Sequence, residues 1–466
     1  MKGGKAIASG GYGCVFKPAI KCKNETDNLK LTTDHVSKLM YNEYAKNELK
    51  EILKFKPILN KIPDYKNYFM IDGIFTCEPS PLTLEDKEDF EKCRNFSHIN
   101  KSNINSNLWD VSLLNIPYGG INLNTYLDSL QYLTVNKEQQ CSFYNYKLIE
   151  VLRNGILPMN NLNLYHYDLK PDNLLIDDRF KEKSNIKLID WGLSSVIKNK
   201  NDLKLISGRP IQYNVPFSVV LFNKQIHDII NDGMSYLKIN KSIFKDIGKR
   251  EQMRIIATEI VNDIEIHKSG HYKIVDERFI PIIYDHSDIF LSHILVNQFT
   301  NILEKYCNNY IFDYYLFFQE VFSKNVDIWG WLTCYLSLVE KNFDPVTKDS
   351  IKSILLEYLF SDTYSASPIP VDKLINQLNK IFIPYKQDSI QTVVSKYKTI
   401  SKSKSKSKSK SKSKSNSIKS LRYKKSKKSL KFLKTNKASI KTLSLTRKRC
   451  YKGYRKNKTG KCVKLK

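Results

Sequence analysis

The stretch Tyr165-His166-Tyr167-Asp168-Leu169-Lys170-Pro171-Asp172-Asn173-Leu174-Leu175-Ile176 decides how the rest of the chain is read. Asp168 and Asn173 stand five apart in a polar loop that runs directly into a short apolar, strand-like segment. Ten residues after that segment, Ile186-Lys187-Leu188-Ile189-Asp190-Trp191-Gly192 forms a second short strand ending in Asp-x-Gly. Together they offer a carboxylate to orient a hydroxyl (Asp168), a cation beside it (Lys170), and two hard oxygen ligands for a metal (Asn173, Asp190). Phosphoryl transfer needs this set, because its barrier is lowered by positioning and charge neutralisation more than by covalent chemistry.

A chain of 466 residues is too long for one ordinary domain, and two or three compact units are expected. A hydrophobic content of 41% is enough for a sizeable core. The net charge of +29 is unevenly placed: residues 401–466 carry 27 of the 76 Lys and Arg and no Asp or Glu. The other 400 residues hold 49 basic against 47 acidic side chains, so the body is near neutral and the basic character belongs to a tail. Nine cysteines lie scattered without a CxxC pair, which reads as reduced thiols in a cytosol-like compartment and not as a disulfide framework or zinc module. The N-terminus lacks an apolar signal core, and even Tyr310–Phe322 is broken by Asp313, Gln319 and Glu320. A soluble protein without a membrane span is expected.

The two segments around Asp168 and Asp190 resemble the catalytic loop and the metal-binding loop of eukaryotic-type protein kinases, matching at Asp168, Lys170, Pro171, Asn173, Asp190 and Gly192. Upstream, Ile7-Ala8-Ser9-Gly10-Gly11-Tyr12-Gly13-Cys14-Val15-Phe16 is similar to the family's phosphate-covering hairpin, with Ala8 in place of its first glycine. Glycine at 10 and 13 lets backbone amides approach phosphate oxygens that a Cβ would obstruct. By the same resemblance Ile7, Gly10, Gly11, Gly13 and Val15 contact nucleotide, Val15 against the adenine ring. Taken alone, such a hairpin is as often a plain turn. Lys38, in His35-Val36-Ser37-Lys38, takes the place of the strand lysine that pairs with the α- and β-phosphates and with a glutamate on the next helix.

That helix is legible over 42–56, where Leu49, Ile52, Leu53 and Phe55 supply an apolar side and Pro57 closes the element. The glutamate is Glu51 or Glu48. Glu51 is favoured, since Phe55 and Ile58 follow it at i+4 and i+7 and keep it beside the apolar face. Residues 80–107 read as a surface insertion. Val111–Ile116 followed by Pro117-Tyr118-Gly119-Gly120 resembles the last strand of the small lobe and the hinge, whose backbone at Ile116–Tyr118 would bond the adenine edge, with Pro117 unable to donate. A long helix over 138–160 supports the catalytic loop. Asn214-Val215-Pro216-Phe217 stands where the family has Ala-Pro-Glu, and Val326-Asp327-Ile328-Trp329 fits its Asp-x-Trp helix.

The resemblance implies an α+β, bilobal fold: an N-lobe over 1–116, a C-lobe over 117–397 with a helical insertion at about 218–326, and a disordered tail over 398–466. It implies an ATP- and Mg²⁺-dependent enzyme, with Asp168 and Lys170 catalytic and Asn173 and Asp190 on the metal. Asp-Leu-Lys-Pro-x-Asn marks the Ser/Thr kinases of the family. The Arg that usually precedes the catalytic Asp, and receives an activation-loop phosphate, is Tyr167 here, so activity without that phosphate is expected. Trp191 replaces the usual Phe. The alternative is a weakly active homologue acting as a scaffold. Ser401–Ser415 is strict Ser-Lys alternation, which cannot offset its ordering entropy and stays extended. Such a tail suits solubilisation, binding of nucleic acid or another acidic surface, or phosphorylation of its serines. The Asn/Lys/Ile-rich composition, Asn214-Val215-Pro216-Phe217-Ser218 and the basic Cys450/Cys462 end resemble the Ser/Thr kinases of mimivirus-type giant DNA viruses. A cytoplasmic setting, the host cytoplasm or virion, follows from that likeness.

Overall fold

Small and apolar residues on either side of a glycine tip fold into a hairpin, β1 (Lys5–Ser9) against β2 (Gly13–Lys17), with a bulge between Ala6 and Ala8. The computed structural model describes residues 4–9, 13–32, 34–94, 96–131, 137–177, 179, 184–284, 289–341 and 344–382, with 454–456 and 462–464. Gly10, Gly11 and Tyr12 at the tip, and the Ser-Lys run, lie outside the described residues. After the hairpin come β3 (His35–Tyr41), α1 (Asn42–Leu59), β4 (Phe75–Cys77) and β5 (Val111–Pro117). The strands make one antiparallel sheet in the order β1-β2-β3-β5-β4.

Register decides what each face carries. Ala8 pairs with Val15, Val15 with Lys38 and Lys38 with Leu114, and directly opposed residues share a face. Lys38 therefore points the same way as Val15, Val36, Met40 and Ile116. Helix α1 closes this face, packing Ala45 and Leu49 on Met40, Leu114 and Ile116. It runs through Pro57 to Leu59, three residues past the expected end. Proline removes one hydrogen bond there, in the last turn, where the loss is smallest.

The opposite face carries Cys14, Phe16, Leu39 and Leu113, and it is dry too. Residues 78–110 fold over it with Leu82, Phe90, Phe96, Ile99 and Ile104, all buried in one cluster with the sheet. This segment is a packed cover, where the sequence suggested a surface insertion; its Asn and Ser side chains face mostly out, and most of its apolar residues face in, with Leu84 and Trp109 left exposed. One disulfide, Cys14–Cys93, fastens it to β2, and a second, Cys22–Cys77, ties the end of β4 to the segment after β2. The expectation of reduced thiols fails for these four; Cys141, Cys307 and Cys334 are free and buried. Cysteines 55 and 79 residues apart give no spacing signal, so the pairing was invisible in the sequence.

The remainder is mostly helical. In chain order come β6 (Ile121–Asn122), α2 (Leu123–Gln131), α3 (Lys137–Val151), β7 (Leu164–Tyr165), β8 (Leu174–Ile176), β9 (Ile186–Leu188) and β10 (Ser195–Val196). Then follow α4 (Lys224–Ile239), α5 (Lys249–His267), α6 (Leu291–Tyr306), α7 (Ser323–Leu332), α8 (Pro345–Leu355) and α9 (Val371–Ile381). Helix α3 continues through a π-turn at Leu152–Ile156 to Asn161. Gly155 lies in that turn where a Cβ would come within 2.9 Å of Tyr68, so the chain at 68–69 can pass closely. The helices of 218–326 share one hydrophobic cluster with α3 and α7. The sheet β6-β8-β9 and the pair β7–β10 bring the loops 166–173 and 189–194 together. No helix among the described residues is long and apolar enough to cross a membrane. Residues Thr399–Lys466 form a separate unit containing a hairpin, β11 (Tyr454–Lys456) with β12 (Cys462–Lys464), so these six residues are not the unpaired tail expected.

Candidate active site

The site is built on a buried carboxylate in α7. Asp327 is 1% exposed, and its two oxygens accept from the backbone N–H of His166 (2.9 Å) and of Tyr167 (3.0 Å) and from Asn160 Nδ2 (2.6 Å). Burial pushes its carboxyl above the usual range, opposed by His166 and these donors. Two consecutive N–H groups aimed at one carboxylate impose an unusual backbone, and Tyr167 has φ +60°. Such a conformation costs a non-glycine residue about 1–3 kcal/mol and persists only where its surroundings over-determine it. The next residue is Asp168.

Asp168 is 7% exposed, with four donor contacts on its carboxylate. Lys170 Nζ reaches Oδ1 at 3.0 Å and Oδ2 at 2.8 Å, Asn173 Nδ2 reaches Oδ2 at 2.8 Å, and Asn214 Nδ2 reaches Oδ1 at 2.8 Å. The structure thus brings together three of the residues singled out in the sequence and adds Asn214, which had been noted only within a motif. A lone Asn in the apolar run Tyr213–Phe217, 1% exposed, was the available signal: a buried amide has to find partners.

Asp190 also has a left-handed backbone, φ +66°, and among the described residues its exposed side chain meets only a long approach from Gly192 N–H at 3.5 Å. Asn173 spends its amide nitrogen on Asp168, which leaves Oδ1 as a hard oxygen donor. An amide oxygen and an exposed carboxylate suit Mg²⁺, which takes one or two protein oxygens along with substrate phosphates. Trp191, next to Asp190, is buried among Phe55 (6.0 Å), Phe69 (5.9 Å) and His166 (5.1 Å). His166 Nε2 lies 3.0 Å from Ile189 O, tying the two loops.

Lys38 is paired with Glu48, at 2.9 and 2.7 Å to its two oxygens, and both side chains are 17% exposed. Glu51, the favoured candidate, bonds Lys54 at 3.0 Å on the outside of α1. The choice turned on where α1 lies on the sheet: Ala45 and Leu49 touch it, and Glu48 shares their side. Glu48 and Phe55 are two turns apart, about 10 Å, on one face of α1. The helix that holds Lys38 thus also holds the Trp191 ring beside Asp190.

Of the residues expected around a nucleotide, Ile7, Gly13, Val15 and Lys38 lie on strands β1–β3, and Ile116 and Tyr118 lie at and just past the end of β5. Val15 and Lys38 are cross-strand neighbours, and Ile7 is 52% exposed. Gly13 has a packing reason beyond phosphate approach, since a Cβ there would lie 2.7 Å from Met40 and 2.9 Å from Lys38 side-chain atoms. Ile116 is half-buried in β5 and faces the same way as Lys38. In the expected hinge Ile116–Tyr118, the N–H of Tyr118 donates to Asp34 O. Lys17 and Arg179 both lie over the Tyr118 ring.

The sequence profile of the protein kinase domain matches residues 117–216, which include Asp168, Asn173, Asp190 and Asn214. Calcium-dependent protein kinase 5 of Plasmodium falciparum is 37% identical over 65 residues, 14% of this chain and 11% of that protein. CBL-interacting serine/threonine-protein kinase 21 of Arabidopsis thaliana is 41% identical over 64 residues, 14% of each. Serine/threonine-protein kinase 17A of Oryctolagus cuniculus is 33% identical over 70 residues, 15% of this chain and 17% of that protein. The match therefore spans only about a tenth to a sixth of these curated relatives. Over that stretch the chain is similar to eukaryotic-type protein kinases.

Proposed function

We propose that the chain is an ATP-dependent protein kinase that transfers the γ-phosphate to serine or threonine hydroxyls. The observation that carries the reading is the Asp168 carboxylate, fixed by Lys170, Asn173 and Asn214 on a loop anchored to Asp327. With both oxygens held, Asp168 has one orientation in which to receive the proton of an attacking hydroxyl, and pre-set geometry of this kind replaces ordering during the reaction. Lys170 bridges Asp168 on one side and offers its remaining ammonium hydrogens to the transferring phosphate. Lys38, kept extended by Glu48, binds the other phosphates. Asn173 and Asp190 would hold Mg²⁺, whose charge offsets that of the phosphates.

This reading divides the chain into an N-lobe (1–116) and a C-lobe (117–397) that contains the insertion at about 218–326. The basic segment 398–466, with its 28 cationic side chains, suits an acidic surface or nucleic acid as a secondary partner. The giant-virus likeness, with its host-cytoplasm or virion setting, rests on composition and flanking motifs alone. The deciding experiment measures transfer of labelled γ-phosphate to a generic basic protein by the full chain and by Asp168→Asn. Loss of the positioned base is expected to lower kcat by about 10²–10⁴, with ATP binding retained. Equal inertness of the two proteins, both still binding ATP, would instead favour the scaffold reading.

A further inference from the structure

Residues 209–214 have no helix or strand to hold them, yet they place Asn214 on the catalytic carboxylate. Irregular buried backbone has to find its hydrogen bonds elsewhere. From α7, Trp329 Nε1 donates to Tyr213 O at 3.0 Å, and the missing side chain of Gly330 lets Leu169 O and Asn214 O come within 2.7 and 2.9 Å of its Cβ position. From the insertion comes the turn after α5, Lys268–His271. His271 N–H donates to Ile211 O at 2.8 Å, and its ring lies on Tyr213 with centroids 5.3 Å apart. Gly270 has φ +67°, and a Cβ there would sit 2.4 Å from Ile211 O and 2.8 Å from the Pro210 ring. Only glycine permits both that conformation and that approach. At the other end of the stretch, Arg209 lies 4.6 Å over the Tyr167 ring and donates to Leu193 O.

We propose that the turn 268–271 of the insertion is a positioning element of the catalytic loop: Gly270 and His271 hold 209–214 so that Asn214 fixes Asp168, without a phosphate on that segment. The inference rests on the kinase reading and adds a role for the insertion. Burial and the Lys170 charge push the His271 imidazole below its ordinary range, with Asp168 opposing, which suits a neutral ring packed on Tyr213. Tyr167 fits the same picture, because the position that would hold an Arg for a phosphate holds a ring stacked under Arg209.

The test uses the full chain, with and without prior phosphatase treatment, and reads kcat, KM for ATP, affinity for a fluorescent ATP analogue and heat melting. Phosphatase treatment is expected to leave kcat unchanged. Gly270→Val and His271→Ala are each expected to lower kcat by roughly tenfold to a hundredfold, the scale of an ångström-sized misplacement, with KM for ATP and analogue affinity unchanged. His271→Phe, which keeps a ring on Tyr213, should restore most of the activity. Should Gly270→Val fail to fold, the His271 pair decides. Wild-type kcat in His271→Ala, equal loss in His271→Ala and His271→Phe, or loss after phosphatase would each overturn the proposal. A wild type that binds ATP but transfers nothing sinks the kinase reading itself, and the inference with it.

Discussion

At the residue scale, the ion pair of Lys38 separates two glutamates that the sequence left close to equivalent. Glu48→Gln leaves the partly buried Lys38 ammonium without its counter-charge, and kcat/KM is expected to fall by about tenfold to a hundredfold, or roughly 1.4–2.8 kcal/mol. Glu51→Gln removes an exposed i,i+3 pair with Lys54, a contact of about 0.2–0.5 kcal/mol, and should leave activity unchanged. Steady-state kinetics on both variants checks this, and the reverse order would return the role to Glu51. The cluster of Asp168, Lys170 and Asn173 was legible because its members lie within one short loop. Glu48 was not, because the side of α1 that meets the sheet depends on docking, which no periodicity reports. Asn214 was hidden for a similar reason: its partner is 46 residues away.

At the scale of elements, α1 and the Asp190 loop are joined through one ring. Trp191 is 1% exposed and packs between α1, Phe69 and His166, while its indole N–H finds no hydrogen-bond partner among the described residues. Trp191→Ala is therefore expected to cost about 3–5 kcal/mol from lost burial and a cavity. Trp191→Phe sheds an unsatisfied buried donor, so it should stay within about 1 kcal/mol of wild type in urea unfolding. A large loss in Trp191→Phe would show that the N–H is bonded after all. The strongly periodic elements, α1 and the long helix ending at Asn161, were readable from sequence. Residues 78–110 were not, since they bury single apolar side chains from turns and 3₁₀ segments with no repeat to detect.

For the whole molecule, the helical nature of 218–326 was legible in its residues but its target was not, because the turn at 268–271 meets 209–214 largely through backbone groups common to every residue. The paired cysteines were equally silent. Closing separations of 79 and 55 residues restricts the unfolded chain, and each link is expected to add about 2–4 kcal/mol. Heat melting with and without dithiothreitol, and of Cys22→Ser/Cys77→Ser, measures this; identical curves would remove the links from the stability account. The cover over the far face of the sheet has a kinetic consequence as well. The 78–110 segment covers one face of β2 and β3 and α1 covers part of the other, so opening either strand must peel away α1 or the 78–110 cover with it. Amide protons of Cys14–Phe16 and Ser37–Met40 should then exchange with deuterium together and slowly, as one cooperative block.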